Sequence, residues 1–219
     1  MRFVFRYKGK FDWLISKEVF EAYCRHVYAD LKRVFEVAWS PKQFRITVET
    51  DLKKPRGWGG NFQRDAAGFH LDLQLFGCPK KEQSFTLLQS LLDHTLTHEM
   101  LHGFVPFVEG NACWTEGVVE FLTYWYHGKV RENLAVLEEE YKVITDPVYK
   151  RHKYGYLEGV RKMARLENAV LKDVRRLVRD ANRNGDVQKV YTREDVVAYN
   201  PKLAAFFGPK CNEHVPHKL

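Results

Sequence analysis

Apolar and charged residues alternate from the start of the chain, so RFVFRY (2–7) predicts a first strand. In SKEVFEAYCRHVYADLKRVFEV (16–37), Val19, Phe20, Tyr23, Val27, Leu31 and Val34 recur at helical spacing, and Ser16 is placed to cap that helix. FRITVET (44–50) alternates again, DLKKPRGWGGN (51–61) reads as a Gly/Pro loop, and GFHLDLQLFG (68–77) sets Phe69, Leu71, Leu73 and Leu75 on one face of a further strand. After CPKKEQ the period changes. SFTLLQSLLDHTLTHEMLHGF (84–104) predicts an amphipathic helix, and helical segments follow at 114–128, 131–144, 156–166 and 167–183. A last segment, 193–208, precedes a polar tail.

The pattern predicts an α+β chain of one domain over 1–219, in two lobes. A small N-terminal sheet with helices (1–103) ends in the helix bearing THEMLHGF, and a mainly helical lobe with the tail (104–219) follows. The expected place for a site is the junction of the lobes, since sites favour such clefts.

Composition narrows the function classes. A hydrophobic content of 45% and an aromatic content of 14% fit a globular protein and exclude a disordered one. The N-terminal stretch lacks the apolar core of a secretory signal, and no run of about 18 apolar residues occurs. The expectation is a protein without a membrane span, cytoplasmic as made, with signal-independent export left open. Cys24, Cys78, Cys113 and Cys211 form no C-x-x-C pair, which argues against a zinc ribbon and a dense disulfide framework; isolated cysteines read as small buried hydrophobes. The net charge of +7 is concentrated between Lys150 and Gly185, where 11 Lys/Arg face 4 Asp/Glu. Such a patch could attract nucleic acid or an acidic polypeptide. A solvated helix face is the favoured reading, and nucleic acid is disfavoured as a partner.

The chemistry is concentrated in HEMLH. His98 and His102 are four apart, so on a helix their Cβ atoms are about 5–6 Å apart and both rings can reach one Zn2+ ion. Glu99, one step round the helix, can approach a zinc-acidified water as a general base without being a ligand. His94 lies eight residues from His102, about 12 Å along the axis, too far to share an ion with both others. It reads as a core or rim residue. Hydrolytic zinc wants three protein ligands and one open position. In CWTEGVVEF, Glu116 would complete a His/His/Glu set, and Glu120, one turn on, could hold the free ring nitrogen of a ligating histidine.

HEMLH followed by WTEGVVEF resembles the gluzincins, whose zinc is held by H-E-x-x-H and a downstream Glu. The resemblance covers about residues 68 to 166. It implies a zincin-like fold and zinc-dependent hydrolysis of a peptide or protein substrate. KYGYLEGVRKMARL is similar to the tyrosine-bearing helix start of those families, which assigns oxyanion stabilisation to Tyr156, with Tyr154 as second choice. The strand GFHLDLQLF would then form the rim of the cleft along which an extended substrate adds. The interval from His102 to Glu116 is shorter than in the aminopeptidase-like members, and their G-x-M-E-N type motif is absent. An endopeptidase built as a stand-alone catalytic unit is therefore expected.

Two other readings remain open at this point. One is a basic nucleic-acid- or partner-binding protein with structural zinc, drawing on Cys113 and Cys211 as further ligands. The other is a zincin that binds peptides without cutting, or is held latent by Cys211, His214 and His217 of the tail; the presence of Glu99 speaks against a non-cutting form. No signal for an oligomeric state is present.

Overall fold

The computed structural model describes residues 1–11, 16–51, 53–54, 57–65, 68–76, 85–183, 190–208 and 211. The chain is α+β and divides into two units, Met1–Phe104 and Val105–Leu219.

The first unit is built on four strands: β1 (Arg2–Lys8), β2 (Gln43–Asp51), β3 (Gly57–Asp65) and β4 (Gly68–Phe76). Their order is β1-β2-β4-β3; the first two pairings are parallel and β3 runs antiparallel to β4. Register makes one face apolar. Phe3, Phe5 and Tyr7 lie opposite Phe44, Ile46 and Val48, which lie opposite Phe69, Leu71 and Leu73. The six residues of β2 and β4 are all buried, as the period-2 alternation of a half-buried strand requires.

Helix α1 (Lys17–Val34) begins where the sequence places it, and the Ser16 hydroxyl accepts from the Val19 N–H at 3.3 Å. Its buried stripe, Phe20, Cys24, Val27, Tyr28 and Leu31, meets the apolar face. Tyr28 packs edge-on to Phe44 at 5.4 Å, and Phe20 packs against Phe5 at 6.3 Å. Helix α2 (Phe85–His102) carries HEMLH, and Tyr28 also meets Phe104 just beyond its end, at 5.4 Å.

Two features of this unit correct the sequence reading. GWGGN is not loop but the start of β3, paired with β4 along nine residues from Gly57↔Phe76 to Asp65↔Gly68. Glycine is a poor strand former, so the pattern pointed to a loop; the β4 ladder overrides that propensity. In consequence β4 is not a rim strand. It lies between β2 and β3, and the edges are β1 and β3.

The second unit is helical: α3 (Ala112–Thr115), α4 (Gly117–Tyr126), α5 (Val130–Val143), α6 (Pro147–Arg183) and α7 (Arg193–Val197), then a 3₁₀ helix at Pro201–Phe207. The two helices expected at 156–166 and 167–183 are one, 37 residues long. Pro147 opens it, tolerated because the first helical N–H groups need no intrahelical partner, and the Asp146 carboxylate accepts from the Tyr149 N–H at 2.6 Å. The buried positions Leu157, Val160, Met163, Val170, Val174, Leu177 and Ala181 run along it without a phase break. Glycines let α6 approach α3 and α4 closely. A Cβ on Gly117 would lie 2.6 Å from the Gly155 carbonyl oxygen, and one on Gly155 would lie 2.7 Å from the Ala112 Cβ.

Cys113 and Cys211 form a disulfide across a sequence separation of 98 residues. Their reading as isolated small hydrophobes is thereby corrected; Cys24 is buried and unbridged as expected. The pairing could not be read from the sequence, because nothing local links residues so far apart. His214 and His217 of the proposed latency tail lie outside the described residues. Among the described residues no helix is long and apolar enough to cross a membrane.

Candidate metal centre

Helix α2 is buried on several faces at its C-terminal end. Leu92, Leu96, Met100 and Leu101 are buried, and so are Thr97, His98 and Glu99, the last two at 5% and 8% exposure. Burying an imidazole and a carboxylate on adjacent residues costs free energy unless each is given a partner, so these positions are chemically committed rather than incidental. The helix stops at Gly103, whose N–H donates to the Met100 carbonyl at 3.0 Å. A side chain there would meet Phe69 at 2.9 Å and Phe62 at 3.1 Å. Arg64 of β3 donates to the His102 carbonyl, placing a cation where the helix dipole favours one.

The His98 and His102 rings sit with centroids 4.9 Å apart and planes at 77°. Their Nε2 atoms converge to 3.1 Å. Two ligands of a tetrahedral zinc with Zn–N bonds near 2.0–2.1 Å stand about 3.3 Å apart. The pair therefore has the spread that one ion needs. The His94 ring is farther from His98, with centroids 6.2 Å apart.

The carboxylates belong to the second unit. Glu116 is the hinge between α3 and α4, and nearly every residue before it is tied down. Asn111 accepts from the Trp114 N–H at 2.8 Å and donates to the Phe206 carbonyl at 2.8 Å. Cys113 is held by the disulfide, the Trp114 indole donates to the Pro106 carbonyl at 2.8 Å, and the Thr115 hydroxyl donates to the Val108 carbonyl at 3.1 Å. Gly117, immediately after, is locked against α6. Glu120 is buried at 5% exposure. Tyr124, four residues on, is buried too, and its phenol hydrogen-bonds the Glu120 carboxylate. Burial first, then that carboxylate, drives the Tyr124 pKa well above the usual phenol range. The sequence reading missed Tyr124, although its i, i+4 spacing from Glu120 was visible.

His98 and His102 of the first unit can offer two ligand atoms to one metal ion, and the two carboxylates expected from the motif, Glu116 and Glu120, stand in the second unit. His94, read from sequence as a core or rim residue, lies on α2 one turn before His98.

Tyr156 lies on α6, and its neighbours Gly155 and Gly159 press on Ala112 and on Gly117, which flank the segment leading to Glu116. Its ring packs edge-on to His152 at 5.2 Å, with the Lys153 ammonium 4.8 Å from its centroid. Tyr154 instead packs against Tyr141 at 6.3 Å. Several basic residues of α6 are engaged within the second unit. Arg161 pairs with Glu138 at 2.8 Å, Lys162 with Glu158 at 3.4 Å, and Arg175 and Arg176 lie over Trp125 and Tyr199. These contacts fit a structural use of the charge.

Comparison with models of protein families, with curated proteins and with solved structures finds no match.

Proposed function

We propose that the protein is a zinc-dependent endopeptidase of gluzincin type with a zincin-like fold. The observation that carries the reading is the convergence of the His98 and His102 Nε2 atoms to 3.1 Å on one face of α2, and Glu116 is the third ligand that the reading assigns. Two imidazoles and one carboxylate are a donor set that suits zinc and leaves the fourth position of a hydrolytic site open. Bound there, zinc would acidify a water and polarise a peptide carbonyl.

The protein's own side chains supply the rest. Glu99, buried beside His98 on α2, accepts a proton from the attacking water and passes it to the departing amine. Tyr156 donates to the oxygen on which negative charge develops. Glu120 orients a ligating histidine and is itself held by Tyr124. An extended peptide would add to β3, because this strand, and not β4, is the sheet edge beside α2.

The structural-zinc alternative loses support, since Cys113 and Cys211 are consumed in a bond with each other and offer no thiolate. The same bond favours an oxidising setting over the cytoplasmic one expected from the sequence.

The test is cleavage of a broad peptide mixture read by mass spectrometry. Cleavage should stop on treatment with a zinc chelator and return with added Zn2+ but not with added Mg2+. Cleavage that persists after the metal is stripped, with no zinc left in the sample, sinks the proposal.

A further inference from the structure

Within the first unit, Gly60, Phe62 and Arg64 share one face of β3, and all three meet the C-terminal end of α2. Arg64 donates to the His102 carbonyl, and Phe62 lies under Gly103, 3.1 Å from where a Cβ would stand. Gly60 is the third member of this series, and its neighbour is Glu99. A Cβ built on Gly60 would come within 2.6 Å of both the Glu99 Cδ and its Oε1, separations that real Cβ atoms essentially never show. The adjacent Gly59 has nothing within 4 Å of its Cβ position.

The contrast separates two roles for glycine in one strand. Glycine weakens a strand by its backbone entropy and its lack of packing, so its presence inside β3 calls for a compensating reason. Gly59 shows none. At Gly60 the reason is the carboxylate, which occupies the volume a side chain would take. Phe62 and Arg64, two and four residues on, fix the strand to the helix, so β3 cannot drift away to relieve a clash. The Arg64 guanidinium lies 5.8 Å from the Phe62 ring centroid and 6.0 Å from that of Phe69.

We propose that Gly60 is a positioning residue, whose missing side chain sets where the Glu99 carboxylate lies. Its consequence for catalysis rests on the peptidase reading; the contact itself does not. Since misplacing a reacting group by about 1 Å can cost on the order of 100-fold in rate, the effect of filling this space is large.

The experiment compares zinc-loaded wild type, Gly59→Ala and Gly60→Ala, then Glu99→Ala with and without Gly60→Ala. The Glu99→Ala change removes the atoms that an alanine at 60 would strike. Gly60→Ala is expected to lower kcat on the peptide mixture by about 100-fold, with KM and zinc content held. It should also lower the melting temperature by about 2–10 °C. Gly59→Ala should match wild type in both. In the Glu99→Ala background, the thermal cost of Gly60→Ala should vanish. The proposal is overturned if Gly60→Ala behaves like Gly59→Ala, or if its thermal cost is as large without the Glu99 carboxylate as with it. Should wild type cut nothing, the peptidase reading falls alone, and the melting-temperature cycle still decides whether Gly60 places Glu99.

Discussion

Glu99→Gln is expected to retain one zinc per chain and to lose peptide cleavage by about 10²- to 10⁴-fold, the range over which a general base contributes. The substitution keeps the length and shape of the side chain, so the close packing against Gly60 survives. What it removes is the ability to accept a proton. His98 and His102 remain on the same face of α2 with their Nε2 atoms 3.1 Å apart, so metal binding should be preserved. The informative measurement is the pair of values, zinc content and turnover, on the same preparation. Loss of turnover together with zinc would place Glu99 among the ligands. Undiminished turnover would remove it from the chemistry altogether.

The second large effect concerns the second unit. The Cys113–Cys211 bond closes a loop across 98 residues, and constraining an unfolded chain over such a span is worth about 4–5 kcal/mol in the chain-entropy account. Replacing both cysteines by alanine should therefore lower the unfolding free energy of this unit by roughly that amount. Both sulfurs are buried, so added reductant should act slowly on the folded protein and fully only when denaturant is present. Urea titration followed by circular dichroism, with and without reductant, reads this as a fall in midpoint. Because Cys113 stands three residues before Glu116, zinc affinity should weaken alongside. An unchanged midpoint in the double-alanine variant would mean that the bond constrains nothing the fold does not already hold.

How much of this could be read from the chain depends on whether the signal is local. The Ser16 cap and the alternation of β2 and β4 are signals within one element, and the structure realises each. The α1 stripe is realised at Phe20, Val27 and Leu31 but not at Val19, which is 54% exposed, and Cys24 and Tyr28 are buried in addition. The two histidines of α2 belong to the same kind, because i, i+4 geometry follows from helix pitch. Strand β3 was hidden because its glycines argue for a loop in isolation; the β4 ladder makes the strand, and the Glu99 carboxylate accounts for Gly60 alone. The unity of α6 was legible in hindsight, since its buried stripe keeps phase through residues 157–181. The disulfide was not, for it joins chain segments distant in sequence. Tyr124 could have been found, had its spacing from Glu120 been weighed as a hydrogen-bonding pair.

The central claim is that one zinc is held by His98, His102 and Glu116. Elemental analysis of purified wild type, His94→Ala and His98→Ala tests it most directly. His98 and His102 hold their Nε2 atoms 3.1 Å apart, with ring centroids 4.9 Å apart, whereas the His94 ring lies 6.2 Å from that of His98. The account predicts one zinc per chain in wild type and in His94→Ala, and none in His98→Ala. Zinc retained by His98→Ala, or lost from His94→Ala, would contradict it.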